Sequence, residues 1–238
     1  MARASVILLV GLLTSGCRAS REGSGSRRGT LVCVPGFLRG KGCLWAAGRA
    51  LQADGWRVEH WAYPSRERTI ARHAERLTAE LNRIASAHPG EPIAFVTHSL
   101  GGLVVRAALN RPDSPTEARA GVAVLMAPPN RGSVLARRLR GSSLARLGFG
   151  PASGRELMEA EDFDGLGSFP EGMRVLVVAG DFGFNPWIPG PDDGKVGVEE
   201  TRLGTPHAFL KVHAGHSWIG WSPTAIRETR GFLKKGEM

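Results

Sequence analysis

Three cysteines in 238 residues are too few to staple a small disulfide-built module. The apolar run at residues 5–13 (SVILLVGLL) is too short to span a bilayer as a mature helix. Thirty-two glycines and fifteen prolines follow no period. No self-similarity appears at the repeat length of a solenoid or propeller, so a collagen-like fibre and a repeat array are both excluded. No His-Glu-x-x-His pair, Walker loop or Gly-x-Gly-x-x-Gly following a strand occurs, and neither a metal nor a cofactor is expected. Acidic side chains are in deficit, 22 against 31 basic, which leaves +9 carried mostly by Arg. Such an excess favours an anionic surface such as phospholipid or an envelope polymer. Nucleic acid is not expected, because no finger, basic zipper or aromatic RNA-binding motif accompanies the charge. What is present is the composition of a globular domain with a sizeable core, 42% hydrophobic and 22% charged.

The first 17 residues carry the marks of a signal peptide. A positive n-region (Met1-Ala2-Arg3) precedes the apolar h-region, which ends in Leu13-Thr14-Ser15-Gly16-Cys17. That end is similar to the lipobox of bacterial lipoproteins, except that Thr14 stands where a Leu-like residue is usual. The similarity implies cleavage before Cys17, acylation of its thiol and attachment to the membrane; cleavage without lipidation, giving a secreted or periplasmic protein, is the competing expectation. Residues 18–30, rich in Ser, Gly and Arg, have the composition of a flexible tether. Export would allow Cys33 and Cys43 to form one bridge, but burial of Cys33 as a small hydrophobe accounts for it equally well.

From residue 31 to the end, strand and helix patterns alternate. Strands are expected at 30–34, 56–61, 93–97, 121–125, 174–179 and about 209–213. Helices are expected at 43–54, 69–87, 100–110 and in a last segment ending near 233. The helix at 69–87 has Ile70, Ala74, Leu77, Leu81 and Ile84 on one face. With no tight hairpin between strands, the pattern predicts an α/β fold: a mostly parallel sheet covered by helices on both faces, its site at the carboxyl ends of the strands.

One junction carries chemistry. The strand 93–97 runs into Thr97-His98-Ser99-Leu100-Gly101-Gly102, and a helix follows at once. Strand, sharp turn and helix with Ser99 at the apex would project its hydroxyl from the sheet and aim helix N-terminal amides at developing negative charge. A Ser that merely caps a helix is the bland alternative. The segment resembles the GxSxG nucleophile elbow of α/β-hydrolases, with Thr97 in place of the first Gly, and the chain is similar to the bacterial lipase- and esterase-like members of that superfamily.

A Ser hydroxyl needs a base, and His suits neutral pH. The resemblance places the catalytic His between the last strand and last helix, where both His213 and His216 lie; His216, after a Gly and opening the loop, is preferred. His98 beside the nucleophile is expected to support the elbow. For the acid, Asp193 in Asp192-Asp193-Gly194-Lys195-Val196 is similar to the DGxV segment of bacterial lipase-like hydrolases and is preferred over Asp181, with Asp192 weaker. By the same resemblance the oxyanion donors are the amides of Leu100 and of Phe37. Phe37 lies in Pro35-Gly36-Phe37-Leu38, where Pro35 replaces a customary His.

Residues 134–170 could supply a small cap. Their Arg137, Arg138, Arg140 and Arg146 would either draw in anionic substrate or form a solvated helix face. The implied activity is hydrolysis of carboxylic esters through a Ser-His-Asp triad and an acyl-enzyme. The implied substrate is a small-molecule ester or lipid, and the protein is expected to act as a monomer. A thioesterase or acyltransferase on the same fold is the alternative, and a non-catalytic binding protein a lesser one.

Overall fold

The computed structural model describes residues 28–235. The expected signal segment, Cys17 and nearly all of the tether lie outside the described residues.

Six parallel strands form a single sheet in the order β2-β1-β3-β4-β5-β6. They are β1 (Thr30–Val34), β2 (Arg57–His60), β3 (Ile93–His98), β4 (Val122–Met126), β5 (Arg174–Gly180) and β6 (Ala208–Val212). Because side chains alternate across a strand, each buried strand feeds two cores. Val32, Val34, Phe95, Leu125 and Val177 point into one cluster. Leu31, Cys33, Val96, Met126 and Val178 point into the other. Each fully buried Leu, Val or Phe contributes about 1.5–3 kcal/mol, so a one-residue slip of any central strand would be prohibitive.

The first cluster is closed by α2 (Ile70–Ala87) and α3 (Leu100–Leu109), the second by α1 (Trp45–Ala53) and α8 (Pro223–Lys234). Helices therefore cover both faces. Thr69 caps α2 by accepting from the Arg72 amide, and Ser222 caps α8 ahead of Pro223. The apolar stripe of α2 is buried at all five expected positions. Helix α3 is buried nearly all round, including Arg106, whose guanidinium donates to Asn130 Oδ1 and to the Phe163 carbonyl.

The observed elements match the expected ones to within a few residues. The largest boundary difference lies before α1, where Lys41–Leu44 form a 3-10 turn. Four short helices appear for which no bounds were expected: α4 (Thr116–Arg119), α5 (Val134–Leu139), α6 (Ser143–Phe149) and α7 (Ser153–Glu159). Too short to show a repeating apolar stripe, α5 and α6 begin instead at capping residues, Ser133 and Ser142, whose hydroxyls accept from Ala136 and Ala145 amides. Cys33 and Cys43 are both free thiols. Cys33 is a buried member of the second core, and burial pushes its thiol pKa up to about 12.

Candidate active site

The loops at the carboxyl ends of β1, β3, β5 and β6 converge on one cavity of about 640 Å³. Ser99 stands at its floor, between the end of β3 and the start of α3, with φ 51° and ψ −124°. A non-glycine residue there costs about 1–3 kcal/mol and persists only where neighbours enforce it. The enforcement is visible: the Ser99 amide donates to the Met126 carbonyl at 2.8 Å, and the Gly102 amide donates to the Ser99 carbonyl at 2.9 Å. A Cβ on Gly101 would collide with the carbonyl oxygens of Val34 and Pro35, so only glycine lets the elbow seat against the end of β1. Thr97 fits in place of the motif's first Gly because Gly102 lies across from it; a Cβ there would come within 3.2 Å of Thr97 Oγ1.

His216 sits on the loop after β6 and lines the same cavity as Ser99. Its Nδ1 lies 2.8 Å from Asp193 Oδ2. The other carboxylate oxygen of Asp193 accepts from the Lys195 amide at 3.0 Å and the Val196 amide at 2.8 Å. The Asp193 carbonyl also accepts from the His216 amide at 2.9 Å. A buried carboxylate with every contact satisfied fixes both the ring and its tautomer: Nδ1 carries the proton, and Nε2 is left without one. Among the described residues, Ser99 Oγ makes no hydrogen bond to the imidazole. In ligand-free sites such contacts are often long and tighten when substrate enters.

The rival residues are accounted for elsewhere. Asp181 takes His213 Nδ1 at 3.2 Å and Lys211 Nζ at 3.1 Å, with His213 largely exposed. Partial burial would raise the Asp181 carboxyl, but the bonds from Lys211 and His213 outweigh it and hold the pKa below the usual carboxylate value. Asp192 accepts from the Gly194 and Asn185 amides and so shapes the loop that presents Asp193. His98 donates from Nε2 to the His216 carbonyl at 2.8 Å, tying the elbow to the loop that carries the imidazole. Burial, helped by neighbouring His216, Arg39 and Lys195, holds His98 well below the ordinary histidine pKa, so it is neutral. Of the remaining histidines, His73 is buried against Tyr63, and His88 ends α2. His207 bonds to the Thr205 carbonyl.

Two backbone amides next to the cavity lack a protein acceptor among the described residues. Neither Phe37 nor Leu100 donates its N–H to any group among the described residues. Leu100 opens α3, and a helix's first amide has no carbonyl one turn back within the helix to bond. The missing His at position 35 is offset by bracing from the loop after β2: Tyr63 OH donates to the Pro35 carbonyl at 3.0 Å, and the Leu38 amide donates to Ser65 Oγ at 2.8 Å. Nothing at positions 63–65 marked this role in the sequence. Phe37 also stacks on Phe149 of α6, with ring centroids 5.4 Å apart.

Helices α5 to α7 supply the other wall through Leu135, Ala136, Leu139, Ala145, Phe149 and Leu157. None of Arg137, Arg138, Arg140 and Arg146 lines this cavity. Arg137 is used structurally, donating to the Ala160 and Glu161 carbonyls, and Arg140 and Arg146 border a separate surface cleft. The cations at the cavity are Arg39 and Lys195, which pattern reading passed over. No cluster of three or more His, Cys, Asp or Glu placed to hold a metal occurs among the described residues.

This combination of one parallel sheet, helices on both faces and an elbow at the end of β3 defines an α/β-hydrolase fold. Solved structures with the same fold include the mature form of a lipase, BlEst2, from Bacillus licheniformis (TM-score 0.68, 15% identity, 89% of this chain and 94% of that one). A metagenomic carboxyl esterase, MGS0156, aligns with TM-score 0.64 at 19% identity over 90% of this chain and 77% of its own. The phospholipase PlaB from Legionella pneumophila aligns with TM-score 0.63 at 17% identity over 85% of this chain. The chain spans 59% of that phospholipase and 48% of the propeptide form of the lipase. No family model matches the sequence, and no curated protein matches it.

Proposed function

We propose that the protein is a serine hydrolase of carboxylic esters. One observation carries this reading: a hydroxyl held at positive φ opens onto the same cavity as an imidazole whose remote nitrogen is bound by a buried, fully satisfied carboxylate. In this account Ser99 Oγ attacks the ester carbonyl while His216 Nε2 takes its proton. The amides of Phe37 and Leu100 stabilise the oxyanion, a contribution of about 10²–10³ in rate per donor. The tetrahedral intermediate then collapses, the C–O bond to the alcohol breaks, and His216 returns the proton to the leaving oxygen. Water, deprotonated by His216, releases the acid and restores Ser99. Asp193 stays ionised throughout and steadies the imidazolium.

The shared fold with a lipase, a phospholipase and a carboxyl esterase favours ester hydrolysis among the acyl transfers such a site could run. The same reading makes α5 to α7 a cap on the acyl side of the cavity. The lipobox-like end supports a separate proposal, that cleavage before Cys17 exposes its thiol to acylation and so anchors a monomeric protein at the cell envelope. Loss of palmitate labelling in Cys17→Ser would support the anchor.

The test is steady-state hydrolysis of 4-nitrophenyl butyrate and of a matched butyryl thioester by the wild type and Ser99→Ala. The expected result is ester turnover that falls at least about 10³-fold in the variant. Undiminished turnover in Ser99→Ala would remove the assignment, and a strong preference for the thioester would redirect it to the alternative acyl bond.

A further inference from the structure

The cavity is chemically divided. Its wall from the short helices is apolar, whereas the mouth beside Ser99 and His216 carries Arg39 and Lys195, and no Asp or Glu lines it. Asp193, the carboxylate bound to the imidazole, has a side chain 0% exposed and both oxygens occupied. Of the cations on the neighbouring short helices, Arg137 pairs with Glu161 and Arg155 with Glu159, whereas Arg138, Arg140 and Arg146 face solvent or a separate cleft rather than this cavity.

Arg39 and Lys195 have no such partner among the described residues. Arg39 is half-buried, and its guanidinium is steadied by one bond, to the Ser217 carbonyl at 2.9 Å, which leaves its remaining donors free. Lys195 is exposed, but its backbone is pinned because its amide caps Asp193. The two cations reach the cavity from different loops, one after β1 and one after β5.

Resting on the reading of the site as an ester hydrolase, we propose a substrate class: esters of an apolar acyl group with an alcohol that carries a phosphate close to the ester bond. The acyl chain lies against Leu135, Leu139, Phe149 and Leu157, and the phosphate is held by Arg39 and Lys195. Arg supplies a fork that matches phosphate oxygens, and Lys adds a mobile point charge. The field of two unpaired cations at a partly desolvated mouth raises capture of an anionic ester and disfavours a cationic one.

The experiment compares three soluble esters with the full-length protein: 1-octanoylglycerol 3-phosphate, 1-octanoylglycerol and octanoylcholine, each kept monomeric. The expected order of kcat/KM is phosphate, neutral, cationic, with the phosphate ester ahead of the neutral one by about tenfold or more. That preference shrinks as NaCl rises from about 0.05 to about 0.5 M, because an exposed Lys is screened. Lys195→Glu is expected to lower the phosphate-to-neutral ratio about tenfold, and Arg39→Lys to keep more of it than Arg39→Gln.

A wild-type ratio near one, or a ratio unmoved in both Lys195→Glu and Arg39→Gln, overturns the assignment while leaving ester hydrolysis standing. Failure to turn over any of the three esters, or any activated ester, overturns the hydrolase reading and this inference with it.

Discussion

Two Asp–His pairs sit on the same two loops, and they differ in almost everything except residue type. His216 and Asp193 are 2.8 Å apart with side chains 8% and 0% exposed; His213 and Asp181 are 3.2 Å apart with side chains 76% and 20% exposed. The buried carboxylate accepts two further amide bonds, whereas the exposed one shares itself with Lys211. A charge pair in water is worth about 0–1 kcal/mol, whereas a desolvated, fully bonded pair fixes one tautomer in one orientation. Sequence separation does not tell such pairs apart; the loop that wraps Asp193 in amides does.

The largest separation between the pairs is expected in turnover. His216→Ala should cost at least about 10³-fold in kcat, while His213→Ala should stay within about twofold, measured on one activated ester. Equal losses in both would break the comparison.

Asp193→Asn should come next, at about 10³–10⁴-fold, because an amide permits the wrong tautomer; Asp181→Asn should leave turnover near wild type. Gly101→Ala probes the seat of the elbow. Its Cβ would push the Leu100 amide away from the end of β1, and a loss of about 10²–10³ in kcat is expected, with a smaller change in KM.

The pH dependence of stability offers a fourth separation. His98 is held neutral by burial, its folded pKa below the unfolded value of about 6.5. Below that pH the unfolded chain takes up a proton that the folded site refuses. Stability is therefore fully present above about pH 6.5 and is lost as pH falls toward the folded value. His98→Asn should flatten the slope between about pH 7 and 5 in urea titrations, although His60 and His73, also lowered chiefly by burial, keep part of it.

The smallest effect belongs to the exposed pair. Because the Asp181 pKa is lowered, its contribution is present above the unfolded carboxylate value and lost as pH falls through the folded one. Asp181→Asn should cost under about 1 kcal/mol at pH 7, and nothing once the carboxylate is protonated in both states.

Much of this architecture was legible because local pattern and tertiary demand agree. The apolar runs of β1, β3 and β5 and the amphipathic stripe of α2 each require one burial, and each finds it. The elbow was legible because a Ser between a strand and Leu100-Gly101-Gly102 leaves the backbone few choices. The bracing of the Phe37 loop was not, since Tyr63 and Ser65 act through contacts 28 and 27 residues away in sequence, respectively. Helices α5 to α7 escaped because seven residues or fewer cannot display a helical repeat. The cations at the mouth escaped for a different reason: what sets Arg39 and Lys195 apart from the other described basic residues is that they line the cavity of Ser99 and His216, and that is a property of space rather than of sequence.

Mass-spectrometric mapping of a fluorophosphonate adduct tests the central claim most directly, applied in parallel to the wild type, Asp193→Asn and Asp181→Asn. The account predicts a single phosphonylated residue, Ser99, formed rapidly in the wild type and Asp181→Asn and slowed at least about 10²-fold in Asp193→Asn. An adduct on any other residue, or equal labelling rates in all three proteins, would contradict it.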